Sequence, residues 1–348
     1  MTEHTIYMKR AIELAWMGIG SASPNPMVGA VLVYDGLIIG EGYHQKYGEA
    51  HAEVNAIHSV LANKPNAAEL LKKSTLYVTL EPCAHFGKTP PCADLIIQYQ
   101  IAQVVIGCRD PFTQVDGKGI KKLKNAGVEV IQDILKPECE NLNKRFFTWV
   151  RKQRPYIILK WAQTMNGFFA PTNDSQQWIS SVNAKQLVHQ WRSEEDAILV
   201  GKRTALIDNP RLNVREWKGR NPTRIVIDRN LELPKHLHLF DQSIETIVFN
   251  TITTKVDKKI KYIQLEDFDT LLPQLIAYQL YLMDIQSVII EGGAQILKLF
   301  IQANLWDEAR VFISPHHWEK GIEAPILRSR ANETLQAGAD KLEIVYNN

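Results

Sequence analysis

Apolar positions in the first half of the chain repeat at two spacings. Met8, Ile12, Ala15, Trp16 and Ile19 share one face at helical spacing, which predicts a helix over residues 8–19. Residues 28–33 (VGAVLV) and 37–41 (LIIGE) read as strands on either side of Tyr34-Asp35-Gly36, where Asp-Gly signals a hairpin. Residues 52–62 then read as helix, 75–80 (TLYVTL) as strand, 92–100 as helix, 104–107 as strand, 120–126 as helix and 128–131 as strand. After the opening hairpin, strands alternate with helices. That pattern predicts an α/β fold with a mostly parallel sheet, helices on both faces and ligands at the carboxyl ends of strands.

The second half repeats the alternation. Strands are expected at 156–161, 197–200, 223–228, 246–249, 262–265, 287–291 and 309–314. Helices are expected around 187–191 and over 268–282 and 294–303. Between the halves, Arg151-Lys152-Gln153-Arg154 precedes Pro155 and reads as a solvated linker. Two domains follow, at 1–150 and 151–348.

Composition narrows the class. Hydrophobic residues make up 45% and charged residues 22%, ordinary values for a globular protein, and 348 residues are enough for two cores. A net charge of +2 gives no support for a nucleic-acid surface. No apolar run reaches the roughly 18 residues of a membrane span, and the first 20 residues, with Glu3, Lys9, Arg10 and Glu13, lack the apolar core of a secretory signal. Four cysteines are too few for a disulfide framework. A reducing, cytoplasmic compartment fits, and thiols there point to metal or catalysis.

The chemistry lies between His51 and Cys92. His51-Ala52-Glu53 opens a predicted helix, Glu81-Pro82-Cys83 follows a predicted strand, and Pro90-Pro91-Cys92 closes a loop. One histidine and two cysteines are three ligands for a catalytic zinc, which keeps its fourth position for water. Bound zinc lowers the pKa of that water to about 7. Glu53, two residues past the histidine, is placed to move protons. Zinc nucleobase deaminases carry this H-x-E and P-C-x-x-C arrangement. Here eight residues separate the cysteines, not two, and His85 in that loop is a rival ligand. His58, Cys108 and Cys139 belong to no motif and read as structural.

Several stretches together resemble the bifunctional riboflavin-biosynthesis deaminase/reductase family. They are Pro24-Asn25-Pro26-Met27-Val28-Gly29, Gly42-Tyr43-His44, His51-Ala52-Glu53, Glu81-Pro82-Cys83 and Thr89-Pro90-Pro91-Cys92. The long loop between the cysteines is that family's own form. Asp110-Pro111, Gly117-Lys118-Gly119-Ile120 and Ala126-Gly127-Val128 continue the match. The resemblance implies a three-layer, cytidine-deaminase-like first domain. This domain would remove the 2-amino group of a diaminopyrimidinone ribosylamine 5′-phosphate. Glu53 would be the proton donor, and Asn25 and His44 would lie in the pyrimidine pocket.

The match runs on through Leu159-Lys160, Gln177-Trp178-Ile179-Ser180, Arg192, Asp196-Ala197-Ile198-Leu199-Val200-Gly201, Asp208-Asn209-Pro210, Leu212-Asn213-Val214-Arg215 and Glu291-Gly292-Gly293. It implies a second domain like dihydrofolate reductase that uses NADPH to reduce the ribosyl chain. Carried over by position, Gln163, Trp178, Thr204, Asp208 and the turn Gly293-Ala294-Gln295-Ile296-Leu297-Lys298-Leu299 would contact NADPH. Lys160, Gln176, Arg192, Leu212, Arg215 and Glu291 would contact substrate, with Arg192 and Arg215 on its phosphate. Without the resemblance, Glu291-Gly292-Gly293 is a weak phosphate signal, since many strand-to-helix turns carry glycine. The partner implied is a small molecule rather than nucleic acid or membrane, and the assembly a homo-oligomer. Two other readings share the zinc motif: a deaminase of a free or tRNA-borne base, and a zinc-stabilised sensor without turnover. Glu53 speaks against the sensor, because a structural zinc needs no adjacent acid/base.

Overall fold

The computed structural model describes residues 3–84, 90–113, 115–173 and 179–347. The chain divides into two compact units, Met1–Lys152 and Gln153–Asn348.

In the first unit, helix α1 (Glu3–Trp16) precedes the hairpin of β1 (Gly29–Tyr34) and β2 (Leu37–Tyr43). Asp35 and Gly36 at its tip take φ of 50° and 70°, the left-handed pair that a two-residue hairpin turn requires. Then come α2 (Ala52–Asn63), α3 (Ala67–Lys72), β3 (Thr75–Leu80), α4 (Cys92–Gln98), β4 (Gln103–Cys108), α5 (Lys118–Asn125), β5 (Glu129–Ile131), α6 (Lys136–Leu142) and α7 (Lys144–Lys152). The sheet order is β2-β1-β3-β4-β5. Only β3–β4 and β4–β5 pair in parallel, whereas β1 is antiparallel to both its neighbours. The expected mostly parallel sheet is therefore mixed, because the opening hairpin joins it through β1.

Strand alternation builds two cores from one sheet. Leu32, Leu76, Val78, Val104 and Ile106 face α2, α4 and α5, where Ala56, Val60, Ile96 and Leu123 meet them. Val31, Val33, Tyr77 and Val105 face the other way, onto Met8 and Ala11 of α1 and Phe146 and Phe147 of α7. The result is three layers, helix on sheet on helix. The expected linker is solvated at Arg151, Lys152 and Gln153, which are exposed. Arg151 and Lys152 complete α7, and Arg154 makes a two-pronged ion pair with Asp307 at 2.5 and 2.7 Å.

The second unit carries β6 (Tyr156–Thr164), β7 (Phe168–Ala170), α8 (Val182–Glu194), β8 (Ala197–Gly201), α9 (Lys202–Asp208), β9 (Thr223–Ile227), β10 (Thr246–Asn250), β11 (Lys255–Asp257) and β12 (Ile260–Gln264). There follow α10 (Leu272–Leu282), β13 (Ser287–Gly292), α11 (Ala294–Gln302), β14 (Glu308–Ser314), β15 (Ile322–Glu323), β16 (Glu333–Ala337) and β17 (Asp340–Tyr346). Among the described residues the main sheet runs β11-β12-β10-β9-β8-β13-β6-β14-β17-β16. The strands from β12 to β14 in that order are parallel, and the edges are antiparallel. Such a sheet needs cover on both faces. Leu159, Leu199, Ile225, Phe249 and Ile290 pack on α10 and α11, and Ile198, Val226 and Val248 pack on Leu233, Leu239 and Phe240. Both surfaces being filled, the space for a ligand lies at the strand ends. No helix among the described residues is long and apolar enough to cross a membrane.

Candidate active sites

The first site sits where β3 ends and two helices begin. His51 is the N-cap of α2, Cys92 is the first residue of α4, and Cys83 follows β3 by three residues. Residues 41 apart in sequence thus come within a single coordination sphere. Cys83 Sγ and Cys92 Sγ lie 3.7 and 3.3 Å from His51 Nδ1. The three ligand atoms all lie within 4.8 Å of one another, and they form the only such group of His, Cys, Asp or Glu found among the described residues. A tetrahedral zinc with Zn–S of about 2.3 Å and Zn–N of about 2.0 Å needs its ligand atoms roughly 3.6 Å apart. Donor type and spacing both fit. The rival ligand His85 lies outside the described residues.

The charges at the site suit a cation. The hydrogen bond from Cys92, helped by His51, pulls the Cys83 thiol down against the cost of burial. That contact, together with burial, holds Cys92 up. Glu53 follows on the first turn of α2, only 3% exposed, and burial raises its pKa. The expected pocket residues meet here too. Asn25 Nδ2 donates to His44 Nε2 at 3.1 Å, while His44 Nδ1 donates to the Ala50 carbonyl at 3.1 Å. Burial lowers the His44 pKa and keeps the ring neutral, as that bonding pattern requires. The His44 ring stands edge-on to His51, centroids 5.5 Å apart.

The second site is a cavity of about 850 Å³ at the carboxyl ends of β8, β9 and β13. Lys160, Arg192, Thr204, Asp208, Leu212, Arg215, Glu291 and the turn from Gly293 to Ile296 all line it. Gly292, ending β13, has φ of 126°, where a side chain is strained, and an added Cβ would meet Phe169 at 3.1 Å. Arg192 grips Glu291 with both prongs. Lys160 Nζ stands 4.0 Å from the same carboxylate. Burial opposes ionisation of Glu291, but Arg192 and Lys160 outweigh it and hold its pKa at about 2. Lys160 itself is pushed down by burial and by Arg192, against the pull of Glu291.

Other expected contacts separate from the cavity. Leu297 is fully buried in the core, and Leu299 packs against that core. Lys298 is exposed on the outer face of α11. Gln163 is engaged on its own strand, accepting from Trp161 Nε1 at 2.8 Å. The three positions on α11 followed a motif by count, but helical periodicity points only part of a turn at a ligand. Gln176 and Trp178 lie outside the described residues. His189, Arg203 and Arg229 also line the cavity and were not expected. For His189 there was one sequence signal: it precedes Arg192 by three, hence shares its helix face.

The comparisons with known proteins fall on the same two units. A model of the cytidine and deoxycytidylate deaminase zinc-binding region matches residues 1–108, and one of the RibD C-terminal domain matches residues 155–317. A riboflavin biosynthesis protein RibD from Aquifex aeolicus is 39% identical over 345 residues, covering 97% of this chain and 94% of that protein. The chain belongs to the RibD family. The Escherichia coli RibD is 38% identical, with 89% of this chain and 87% of that protein covered. Among solved structures, a diaminohydroxyphosphoribosylaminopyrimidine deaminase/5-amino-6-(5-phosphoribosylamino)uracil reductase from Thermotoga maritima superposes with a TM-score of 0.89. It is 36% identical and covers 99% of this chain and 98% of its own. A RibD from Acinetobacter baumannii gives 0.89 at 32% identity, again covering 99% and 98%. As a RibD protein, the chain joins a cytidine-deaminase-like domain to a dihydrofolate-reductase-like domain. It is a bifunctional deaminase and reductase of riboflavin biosynthesis, and its cofactors are zinc and NADPH.

Proposed function

We propose that the first unit hydrolyses the 2-amino group of 2,5-diamino-6-(5-phosphoribosylamino)pyrimidin-4-one. The second unit then reduces the ribosyl chain to give 5-amino-6-(5-phosphoribitylamino)uracil. One observation carries the first step: a buried carboxylate stands two residues from the histidine of a His/Cys/Cys ligand set. Zinc, held by His51, Cys83 and Cys92, supplies the Lewis acidity that makes a water nucleophilic at neutral pH. Glu53 takes a proton from that water and returns one to the departing amine, so ammonia leaves and a carbonyl remains. Burial brings Glu53 toward the pH at which such a shuttle works. Neutral His44 accepts from Asn25 Nδ2 and so turns the Asn25 carbonyl oxygen toward an N–H of the pyrimidine.

In the second unit NADPH supplies the hydride, and the protein orients it. Gly293 and Ala294 offer backbone amides at the positive end of α11 to the cofactor phosphates. Thr204 stands beside Gly293, where an added Cβ would meet its Oγ1 at 3.3 Å, and Asp208 lines the same cavity. Arg215 takes the substrate phosphate. The fork of Arg192 is filled by Glu291, so its part is to hold that carboxylate toward the sugar. The protein works in the cytoplasm, where a reducing medium keeps Cys83, Cys92, Cys108 and Cys139 as the free thiols seen here. There it works as a homo-oligomer.

The test uses purified, zinc-loaded protein with the diaminopyrimidinone phosphate. Ammonia without NADPH, then NADPH oxidation in step with product, is the expected result. Ammonia release with no NADPH consumption rejects the second step. Zinc binding with no ammonia at all would make the chain a pyrimidine sensor.

A further inference from the structure

We infer that Glu81 is a positioning residue for the metal centre, fixing Cys83 from outside the ligand set. Its side chain is nearly inaccessible, 4% exposed. Oε2 accepts the amide of Gly117 at 3.0 Å, and Oε1 accepts those of Gly119 at 3.0 Å and Ile120 at 3.2 Å. These amides belong to the opening turn of α5, where N–H groups lack helical partners and the helix dipole favours a negative charge. The carboxylate thus uses three of its roughly four acceptor positions on backbone amides and is turned toward α5 rather than into the His/Cys/Cys group.

The same turn touches the chain ahead of Cys83 directly. A Cβ on Gly119 would lie 2.0 Å from the Pro82 carbonyl oxygen, so only glycine lets α5 come this close. Gly117 takes φ of 81°, which turns its amide in toward Glu81. This gives Gly117-Lys118-Gly119 a physical role. Glu81 also donates its own amide to the Cys108 carbonyl at 3.0 Å, which ties it to the sheet. On the far side, the Cys83 carbonyl accepts from Ala93 N at 3.1 Å, and Cys83 Sγ accepts from Cys92 N at 3.3 Å. Cys83 is held from both directions: by Glu81 and Pro82 before it, and by the start of α4 after it. Releasing the first hold lets Sγ wander from His51 Nδ1. Groups that orient metal ligands in this way typically change metal affinity by about 10–100-fold. None of this depends on which pyrimidine is deaminated.

The test measures zinc affinity of the full chain by competition with a chromophoric chelator, and records the visible spectrum of the cobalt-substituted protein. Glu81→Gln keeps one acceptor oxygen and should bind zinc about 10-fold more weakly; Glu81→Ala should lose about 100-fold. Both should change the cobalt d–d bands while NADPH oxidation by the second unit stays at the wild-type rate. Leu123→Ala, which loosens α5 from its buried side, should lower the melting temperature and leave zinc affinity alone. Wild-type zinc affinity and cobalt spectrum in folded Glu81→Gln would reduce Glu81 to a helix cap. Weakening by Leu123→Ala equal to that by Glu81→Gln would also overturn the assignment. If Glu81→Ala does not fold, Glu81→Gln decides.

Discussion

Arg192 and Glu291 meet side-on, Nε to Oε1 at 3.0 Å and Nη2 to Oε2 at 2.8 Å, and each side chain is only 11% exposed. The pair ties the last turn of α8 to the end of strand β13, residues 99 apart. Lys160 stands within 4.0 Å as a second cation. Glu291 therefore balances two buried positive charges.

Removing that balance should be costly. In Glu291→Gln, Arg192 keeps its charge with no carboxylate beside it, while Lys160, already pushed down by burial, loses the one group that favours its charged form. Breaking a buried pair from one side typically costs about 3–5 kcal/mol, because the orphaned charge stays buried. We expect a loss near the lower end, since water in the cavity can reach Arg192. Urea denaturation of the two proteins measures it, and ammonia release by the first unit should be unchanged. A loss below about 0.5 kcal/mol would mean that the pair contributes no more than an exposed one.

Glu53 makes the sharpest separation between binding and turnover. Glu53→Ala removes the proton carrier and none of the three ligand atoms. Zinc content should stay at one per chain, while ammonia release should fall by about 10²–10⁴-fold, the usual contribution of a placed acid/base. NADPH oxidation on the already deaminated compound should continue at the wild-type rate. If that oxidation also stops, the two sites are not independent.

His189 sets a pH dependence. It is 1% exposed, and its Nδ1 accepts the backbone N–H of Arg215 at 3.3 Å. Burial, then repulsion from Arg192 and Arg215, lowers its pKa to about 4. A free histidine titrates near pH 6.5. Above that value both folded and unfolded chains carry a neutral ring, and the full stability is present. As pH falls below about 6.5 the unfolded chain takes up a proton first, so stability is lost until the folded ring titrates near pH 4. His189→Asn keeps an acceptor near Arg215 and cannot titrate. Its unfolding free energy should fall less steeply between pH 6 and pH 4.5 than wild type, by up to about 1.4 kcal/mol per pH unit. Parallel curves would rule out a neutral His189.

The sequence was most readable where chemistry demands rare residues at fixed places. His51, Glu53, Cys83 and Cys92 could be picked out because few arrangements put those types at a helix start and just past a strand. β3 was clear from its run of β-formers, residues Thr75–Leu80. The direction of β1 was not legible, since alternating apolar residues look alike in parallel and antiparallel ladders. α6 and α7 escaped notice because only Cys139 and Leu142 on the first, and Phe146, Phe147 and Thr148 on the second, are buried, too few to show a period. β16 is mostly exposed and has no apolar face to read. His189 and Arg203 became candidates only once the fold gathered their strands and helices around one cavity. Leu297 was named by its position in a motif, and helix geometry turns its side chain into the core.

Cys92 tests the metal centre from the ligand side. Its thiol is completely buried, 3.3 Å from His51 Nδ1, at the first residue of α4. Serine there is nearly isosteric but is a poorer, harder ligand that does not ionise readily, whereas zinc favours thiolate. Cys92→Ser should therefore bind much less than one zinc per chain, measured by atomic absorption after dialysis. Wild-type protein treated with a strong chelator should match it. In both, ammonia release should stop and return only for the wild type when zinc is restored. NADPH oxidation of the deaminated compound should persist throughout, because the second unit has its own core and a cavity free of the His/Cys/Cys group. Retention of a full zinc by Cys92→Ser would remove Cys92 from the ligand set and return the eight-residue loop ahead of it, with His85, as the source of the third ligand.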